Sequence, residues 1–362
     1  MKIIRGLFLT IALLLICSCK SNETPVWEII GSISAGDGDV HEVDLSDNIA
    51  YIADGFDGLH IINLNDPENP EEIGYIDPYP SYSTVADTFY HVEVKGNIAY
   101  ILVYQNCSGW CMGRFGELRI YDVSQPNSPI ILSSVDIVAT DIAIEGDFVY
   151  VTHSDYGFMP VFSIIDVSEY QNPQIISSIP INSEGSLVKR HDNVFISVKG
   201  FSDFEGLIGV NVYDPLSPVL LLSQDWTVLG NPSVPFIIND ETGYVAIGEN
   251  GIQQYDISDP ANTLASVTVM TSSPANDIDI YGKYMYVATD NGVEIFDISE
   301  PENPLFTAEI PTDTPAIKVR VDGNLGIVVT EKVEEQSEYG SSIIEQEKLS
   351  VFLIPERENR SQ

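Results

Sequence analysis

One position of a repeated pattern carries most of the side chains in this chain that could do chemistry. The pattern is marked by a recurring, mostly aromatic strand residue: Tyr51, Tyr100, Tyr150, Phe195, Tyr244, Tyr286 and Ile327. Nine residues before each landmark stand Glu42, His91, Asp141, Ser186, Pro235, Asp277 and Lys318. Carboxylates and an imidazole from several repeats could together hold a metal ion or a polar ligand. The alternative interpretation is that these residues simply face a water-filled channel.

A second set of candidate residues is aromatic and lies in irregular stretches between the regular repeats. Tyrosine and tryptophan suit protein interfaces and stacking on sugar rings, because each combines a large apolar ring with a polar group. The other interpretation is that the rings pack the long connections onto the fold. The set comprises Tyr79, Tyr82, Tyr104, Trp110, Phe115, Tyr156 and Phe158.

Two of the four cysteines, Cys107 and Cys111, are separated by three residues in one of these irregular stretches. In an exported protein this spacing allows a local disulfide bond that stiffens the connection. A zinc site would need further ligands nearby, and none stands out in the surrounding sequence. We therefore predict a disulfide bond between Cys107 and Cys111.

The N-terminal residues are typical of an export signal. Lys2 and Arg5 precede an apolar run, residues 7–17, that is too short to cross a bilayer. The run ends in Ile16-Cys17-Ser18-Cys19, which resembles the lipobox of bacterial lipoproteins. We predict a signal peptide over residues 1–18, with an ordinary secretory signal as the alternative.

On the lipobox interpretation, Cys19 carries the lipid and begins a short tether, residues 19–24. Several acyl chains on one cysteine anchor a protein stably, because each buried CH₂ contributes about 0.8 kcal/mol. Residue 20 is lysine and not the aspartate that retains many lipoproteins at the inner membrane. The sequence therefore favours the outer membrane of a bacterial cell envelope.

The residues that must position these side chains form a unit that recurs seven times. Its clearest copies run over residues 49–70 and 284–304, and each combines an apolar alternating segment with a turn such as Asp297-Ile298-Ser299-Glu300-Pro301. The aspartate of such a turn caps local amides and proline presets φ, so we interpret these recurring aspartates as structural. Repeats of 40 to 50 residues built from short strands indicate a β-propeller.

The ends of the chain are predicted to share one blade. The seventh copy supplies three strands, over residues 317–321, 325–330 and 349–354. Residues 25–33 have the form of an outer strand, like residues 70–76, and would complete that blade. We predict an all-β, seven-bladed propeller in one domain, residues 25–356. The last residues, 357–362, form a C-terminal tail.

Strand order predicts that the irregular stretches share a face. In an antiparallel blade the connections between second and third strands lie on the same side as the connections between blades. Insertions over residues 77–88, 104–116, 153–159, 200–207 and 331–348 all fall on that side. One-sided insertions on a repeat scaffold typically mark a binding face.

These landmarks also resemble the LVIVD-repeat family, whose unit reads Tyr-Val-Ala, Gly-Leu, an apolar strand ending in Val-Asp-Val-Ser, and then Asp-Pro. Repeats one, two, five and six match this form well, three and four match it in part, and the seventh lacks the turn. The resemblance implies a propeller on an exported protein of a bacterium or archaeon. It implies no established activity and no catalytic residues.

The net charge of −38 at pH 7 excludes nucleic acid as a partner, because the phosphate backbone would be repelled. We expect a monomeric, non-catalytic envelope lipoprotein that binds another protein or a glycan through its loop-rich face. No cofactor is expected, although Asp37-Gly38-Asp39 could form a calcium loop. The alternative is a metal-dependent hydrolase or lyase with its site at the mouth of the central channel.

Overall fold

The computed structural model describes residues 27–36, 38–79, 87–105, 115–154, 159–198, 206–225, 235–337, 340–345 and 347–354. This part of the chain forms thirty β-strands and no helix. All but two of the strands belong to seven four-stranded sheets. Among the described residues there is no helix long and apolar enough to span a membrane.

Strand β1 (Ile29–Ser34) is followed by six blades that each use four consecutive antiparallel strands. Blades 1 and 2 comprise β2 (Glu42–Ser46), β3 (Ile49–Ala53), β4 (Leu59–Asn63), β5 (Glu71–Ile76), β6 (Asp87–Lys95), β7 (Ile98–Gln105), β8 (Phe115–Asp122) and β9 (Ile130–Asp136). Blades 3 and 4 comprise β10 (Ala139–Glu145), β11 (Phe148–Ser154), β12 (Pro160–Asp166), β13 (Gln174–Pro180), β14 (Ser186–Arg190), β15 (Asn193–Val198), β16 (Gly206–Asn211) and β17 (Val219–Asp225). Blades 5 and 6 comprise β18 (Phe236–Asn239), β19 (Thr242–Ala246), β20 (Ile252–Asp256), β21 (Leu264–Val269), β22 (Ala275–Tyr281), β23 (Tyr284–Thr289), β24 (Gly292–Asp297) and β25 (Leu305–Pro311).

Blade 7 is built from both ends of the chain, as the sequence predicts. Its order is β26 (Ala316–Asp322), β27 (Leu325–Thr330), β30 (Lys348–Leu353) and then β1. The remaining strands, β28 (Val333–Ser337) and β29 (Gly340–Glu345), form a hairpin between β27 and β30 that the sequence analysis did not anticipate. The innermost strands contact one another in a cycle, and β2 meets β26 to close the ring.

The shared blade repeats the local geometry of the other six. The β1–β30 pair carries a register shift between Ile29 and Gly31, and every other pairing of a third with a fourth strand is also shifted. A Cβ on Gly31 would lie 2.1 Å from the Pro67 carbonyl oxygen, just as one on Gly74 would lie 1.8 Å from the Pro126 carbonyl oxygen. In both seams the proline turn of the next blade rests on a glycine of the preceding outer strand. The blade that closes the ring therefore contacts its neighbour in the same way as an ordinary blade does.

The apolar core is divided among the seams between blades. The described residues form seven buried apolar clusters, and each combines side chains of two neighbouring blades. The seven landmark residues on the second strands are all at most 3 % exposed. They are the large apolar side chains around which these clusters form. The second strands carry consecutive buried apolar residues, such as Ile101, Leu102 and Val103 in β7. Because successive side chains point to opposite faces of a sheet, each blade has two apolar faces, which its neighbouring blades cover.

The recurring turn aspartates cap local amides, as predicted. Asp122, Asp166 and Asp297 each accept a hydrogen bond through Oδ1 from the backbone N–H two residues later, at 2.8 to 2.9 Å. The hydrogen bonds from Ser124 lower the pKa of Asp122. These aspartates are structural elements of the turn between third and fourth strands.

Candidate functional site

The seven residues at the repeated position line one central cavity of about 920 Å³. Each lies on the innermost strand of its blade or directly before it, so the ring arrangement follows directly from the repeat. The residues two positions further along four of these strands, Asp44, Glu93, Asp279 and Arg320, line the same cavity. The structure thus brings Glu42, His91, Asp141, Ser186, Pro235, Asp277 and Lys318 together around the channel.

Several channel carboxylates link the innermost strands of adjacent blades. Asp141 Oδ2 accepts a hydrogen bond from the Leu187 N–H of blade 4 at 2.8 Å, and its Oδ1 accepts the Ile142 N–H at 2.8 Å. Asp44 Oδ2 accepts a hydrogen bond from the Val94 N–H at 2.6 Å and so links blades 1 and 2. Because neighbouring innermost strands share no sheet, these carboxylates supply hydrogen bonds that the backbone ladder cannot. This structural role was not predicted from the sequence.

The basic side chains of the channel are concentrated where blades 6, 7 and 1 meet. Lys318 Nζ lies 2.9 Å from Glu42 Oε2, and Arg320 Nη1 lies 2.5 Å from Asp277 Oδ2. Arg320 also contacts Glu42 through Nη2. Burial alone would raise the pKa of Glu42, but Arg320 and Lys318 hold it well below its usual range. This side of the channel is a compact network of paired charges.

Blades 2 and 3 place carboxylates on the channel whose charges are less well compensated. Burial raises the pKa of Glu93 to about 8, although Lys95 lies 3.3 Å away. Burial also raises the pKa of Asp141, against the opposing effect of His91, whose Nδ1 lies 3.1 Å from Asp141 Oδ1.

The channel side chains do not bring three metal ligand atoms together within the described part of the chain. The one such group there is Asp54, Asp57 and His60 in blade 1. This group was not predicted from the sequence, although its Asp-x-x-Asp-x-x-His spacing could have indicated it. The metal ligands predicted from the sequence lie instead on several blades around the channel.

The loop-rich face comprises the connections between second and third strands together with the connections between blades. Among its described residues, four large apolar side chains are 53 to 65 % exposed: Phe56, Tyr79, Met159 and Met270. Of the aromatics predicted for this face, Tyr79 is therefore exposed. Tyr104 instead stacks on Tyr90 at a centroid distance of 3.9 Å, and its hydroxyl donates to the Ala139 carbonyl. Tyr104 therefore packs blade 2 against blade 3.

Several predicted residues lie outside the part of the chain that the structure describes. They are Cys19, Tyr82, Cys107, Trp110, Cys111, Tyr156 and Phe158, together with the side chain of Phe115. The lipid attachment, the disulfide bond and this part of the aromatic set stay predictions.

A second exposed apolar surface, which the sequence analysis did not predict, lies on the opposite side of the ring. It follows the turns that precede the outer strands and the first residues of those strands, and we call it the outer rim. Its most exposed members, Tyr213 and Leu216 in blade 4, are 77 and 70 % exposed. The rim comprises Ile130, Ile131, Tyr170, Ile175, Tyr213, Leu216, Val219, Leu220, Leu264, Leu305 and Phe306.

Comparison with known proteins places these repeats in a described class. The LVIVD-repeat family model matches residues 37–77, 110–137, 138–179, 243–271 and 273–312. The matches cover blades 1, 3, 5 and 6 and the second half of blade 2, so blade 3 fits the repeat better than its sequence suggested. The chain carries LVIVD repeats and folds as a seven-bladed β-propeller.

Solved structures agree with this fold at low sequence identity. The computationally designed protein Ika8 has a TM-score of 0.55 at 9 % identity, over 90 % of this chain and 99 % of its own. A functionally unknown protein from Desulfotomaculum acetoxidans has a TM-score of 0.55 at 13 % identity, over 80 and 92 %. Sqt1 from Saccharomyces cerevisiae has a TM-score of 0.53 at 11 % identity, over 90 and 99 %. No curated protein matches the chain. A propeller repeat scaffold of this kind is consistent with a non-catalytic binding role.

Proposed function

We propose that this chain is an exported, lipid-anchored propeller that binds a partner protein of the cell envelope through its loop-rich face. The observation that carries the proposal is the exposure of Phe56, Tyr79, Met159 and Met270 on the side of the ring that also bears the long connections. Aromatic residues and methionine are enriched in protein interfaces, because they bury a large area on binding. Connections on a rigid repeat scaffold can also vary without disturbing the blades.

Four of the channel carboxylates are already held by structural partners, and this supports a binding role over a catalytic one. Asp44 and Asp141 are occupied by the backbone amides of neighbouring blades, and Glu42 and Asp277 by Lys318 and Arg320. A general acid or base needs a carboxyl group that can exchange its proton with a substrate. These groups instead hold the ring together.

The export and anchoring part of the proposal rests on the sequence. The short apolar run and the Ile16-Cys17-Ser18-Cys19 motif support lipidation of Cys19 at the cell envelope. The lysine after Cys19 supports the outer membrane. Labelling cells with a radioactive fatty acid tests this part separately: the wild-type chain should take up the label, and Cys19→Ala should not.

Crosslinking in native cells followed by affinity purification tests the binding face. A loop-face variant carries Phe56→Ser, Tyr79→Ser and Met159→Ser, and a matched rim variant carries Tyr213→Ser and Leu216→Ser. Both sets replace exposed apolar side chains, so each should leave the free energy of unfolding nearly unchanged. We expect a stoichiometric protein partner with the wild-type chain and the rim variant, and none with the loop-face variant.

Three results would overturn the proposal. Loss of the partner from the rim variant alone would move the interface to the outer rim. Capture of a glycan that protease treatment does not remove would change the class of ligand. Capture of no partner by the wild-type chain would remove the basis for an envelope-protein interaction.

A further inference from the structure

The connection between β3 and β4 in blade 1 places three potential metal ligands around one point. Asp54, Asp57 and His60 each offer one ligand atom, and these atoms lie within 4.8 Å of one another. His60 Nε2 lies 3.4 Å from Asp57 Oδ2 and 3.7 Å from Asp54 Oδ2. Ligand atoms held about 2.1 Å from a tetrahedral zinc ion lie about 3.4 Å apart. The separations from His60 Nε2 are therefore close to the edges of a tetrahedral site.

The imidazole is oriented by a carboxylate on the opposite side of its ring. His60 Nδ1 lies 3.1 Å from Glu72 Oε1 on β5, and the Tyr75 ring packs against His60 at a centroid distance of 5.1 Å. A histidine that binds a metal commonly donates its other ring N–H to a carboxylate, which fixes the tautomer. If Nδ1–H is donated to Glu72, the lone pair on Nε2 points towards Asp54 and Asp57.

The burial of Asp54 is a second, independent observation that points to a bound cation at this group. Its side chain is fully buried, and its Oδ2 accepts one hydrogen bond, from Gly38 N–H at 2.9 Å. Asp54 Oδ1 and His60 Nε2 are buried atoms that make no hydrogen bond within the described residues. Buried carboxylates are normally paired, hydrogen-bonded or bound to a metal, because an unpaired buried charge is costly.

The backbone after β1 covers this carboxylate closely. A Cβ on Gly36 would lie 2.0 Å from Asp54 Oδ2 and 2.9 Å from His60 Nε2, and one on Gly38 would lie 2.7 Å from Asp54 Oδ1. Only glycine leaves the space between these atoms open. Asp57 is one-third exposed, so the group reaches solvent on its other side.

We propose that Asp54, Asp57 and His60 bind a divalent transition-metal ion of the zinc type, with its remaining coordination position open to solvent. One imidazole nitrogen with carboxylate oxygens suits zinc and its neighbours, whereas calcium prefers six to eight oxygen ligands. The calcium loop predicted at Asp37-Gly38-Asp39 adjoins this group, since Gly38 forms part of its wall. Asp37 of that loop lies outside the described residues, so the calcium loop stays a prediction.

Bound metal at this position would strengthen ring closure. Gly36 and Gly38 belong to the connection that leads from the closing strand β1 into blade 1. An ion held beneath that connection stabilises the folded ring by mass action, because the unfolded chain lacks the site. The melting temperature should therefore rise when zinc is added.

Isothermal titration of the full chain with zinc alone tests the proposal, on protein that carries no polyhistidine tag and has been dialysed against EDTA. Wild-type protein should bind one zinc ion through this group and show a higher melting temperature in zinc. His60→Gln should weaken this binding at least tenfold and remove the rise in melting temperature. Asp57→Asn, at a partly exposed position, should weaken it in the same direction. His153→Gln serves as the matched control, because it changes a half-buried histidine in blade 3 and should bind zinc like the wild type.

Circular dichroism of each variant confirms that the blades are folded before the titration is interpreted. Unchanged affinity in both His60→Gln and Asp57→Asn would overturn the proposal. Loss of zinc binding in His91→Gln, with retention in His60→Gln, would overturn it as well and assign the ion to the channel. Absence of zinc binding to the wild-type chain at millimolar concentration would do the same.

Discussion

Trp27 offers the sharpest test of how the ring is closed. It stands just before β1 and is 9 % exposed, in the apolar cluster between blades 6 and 7. Its ring meets Tyr284 and Tyr286 edge to face, with centroid distances of 5.9 Å in both cases. The closing strand thus fastens blade 7 to blade 6 as well as pairing with β30. Replacing Trp27 with alanine removes this anchor and leaves the strand pairing in place.

The size of the effect follows from the burial. Truncating a buried tryptophan to alanine costs about 3–5 kcal/mol, and this range includes the cavity that is left. The two aromatic contacts favour its upper half, because each edge-to-face pair contributes about 0.5–1.5 kcal/mol beyond its area. The free energy of unfolding of a typical domain is about 5–15 kcal/mol. Trp27→Ala would therefore remove a large fraction of the stability of the fold. Trp27→Phe keeps an aromatic ring and should cost less.

Urea denaturation followed by far-UV circular dichroism measures the free energy of unfolding of each variant. Tyr213→Ala is the control, because its side chain is exposed and its loss should change that free energy by no more than about 0.5 kcal/mol. A cost below about 1 kcal/mol for Trp27→Ala would refute the packing described for the closing strand.

Two further predictions concern the channel and a blade seam. Because burial raises the pKa of Glu93 to about 8, the folded state holds a proton that the unfolded chain releases near pH 4.5. Glu93 should therefore lower the free energy of unfolding between about pH 4.5 and 8, by up to about 1.4 kcal/mol per pH unit. Burial raises the pKa of Asp279 to about 7, which adds a slope of the same sign, so Glu93→Gln should make the slope shallower in denaturation at several pH values without abolishing it. An identical slope in the variant would contradict the assignment. Gly74→Ala should lower the melting temperature and cost about 1–3 kcal/mol, because its Cβ would lie 1.8 Å from the Pro126 carbonyl oxygen. A melting temperature equal to that of the wild type would show that the seam between blades 1 and 2 is looser than described.

The architecture could be predicted because most blades carry the same sequence pattern, so each blade can be recognised from its own residues. The landmark residues recur in every repeat and the turn aspartates in most of them. In the structure the landmarks are buried between blades, and the aspartates cap the turns as predicted. The shared blade followed from the likeness of residues 25–33 to residues 70–76. The hairpin β28–β29 was missed because its sequence, rich in glutamate and serine, lacks the apolar alternation that marks the blades.

The candidate sites could be predicted only in part, because the sequence pattern does not give the distances between side chains of different blades. Counting along the repeat placed Asp141 on the channel, but its hydrogen bond to Leu187 depends on how closely blades 3 and 4 approach. The group around His60 depends on the path of Gly36 and Gly38 after the closing strand, which the fold determines as a whole. Tyr104 was predicted to lie in a connection, but β7 continues to Gln105 and includes it. Tyr104 therefore stacks on Tyr90 of the adjacent strand.

The most direct test of the proposed binding face is site-specific photo-crosslinking in native cells. A photoreactive amino acid replaces Tyr79 on the loop-rich face in one chain and Tyr213 on the outer rim in another. Both positions are exposed, so the two chains differ in the face that carries the probe. If the loop-rich face binds the partner, we expect a defined protein adduct from position 79 and none from position 213. Adducts from position 213 alone would contradict it.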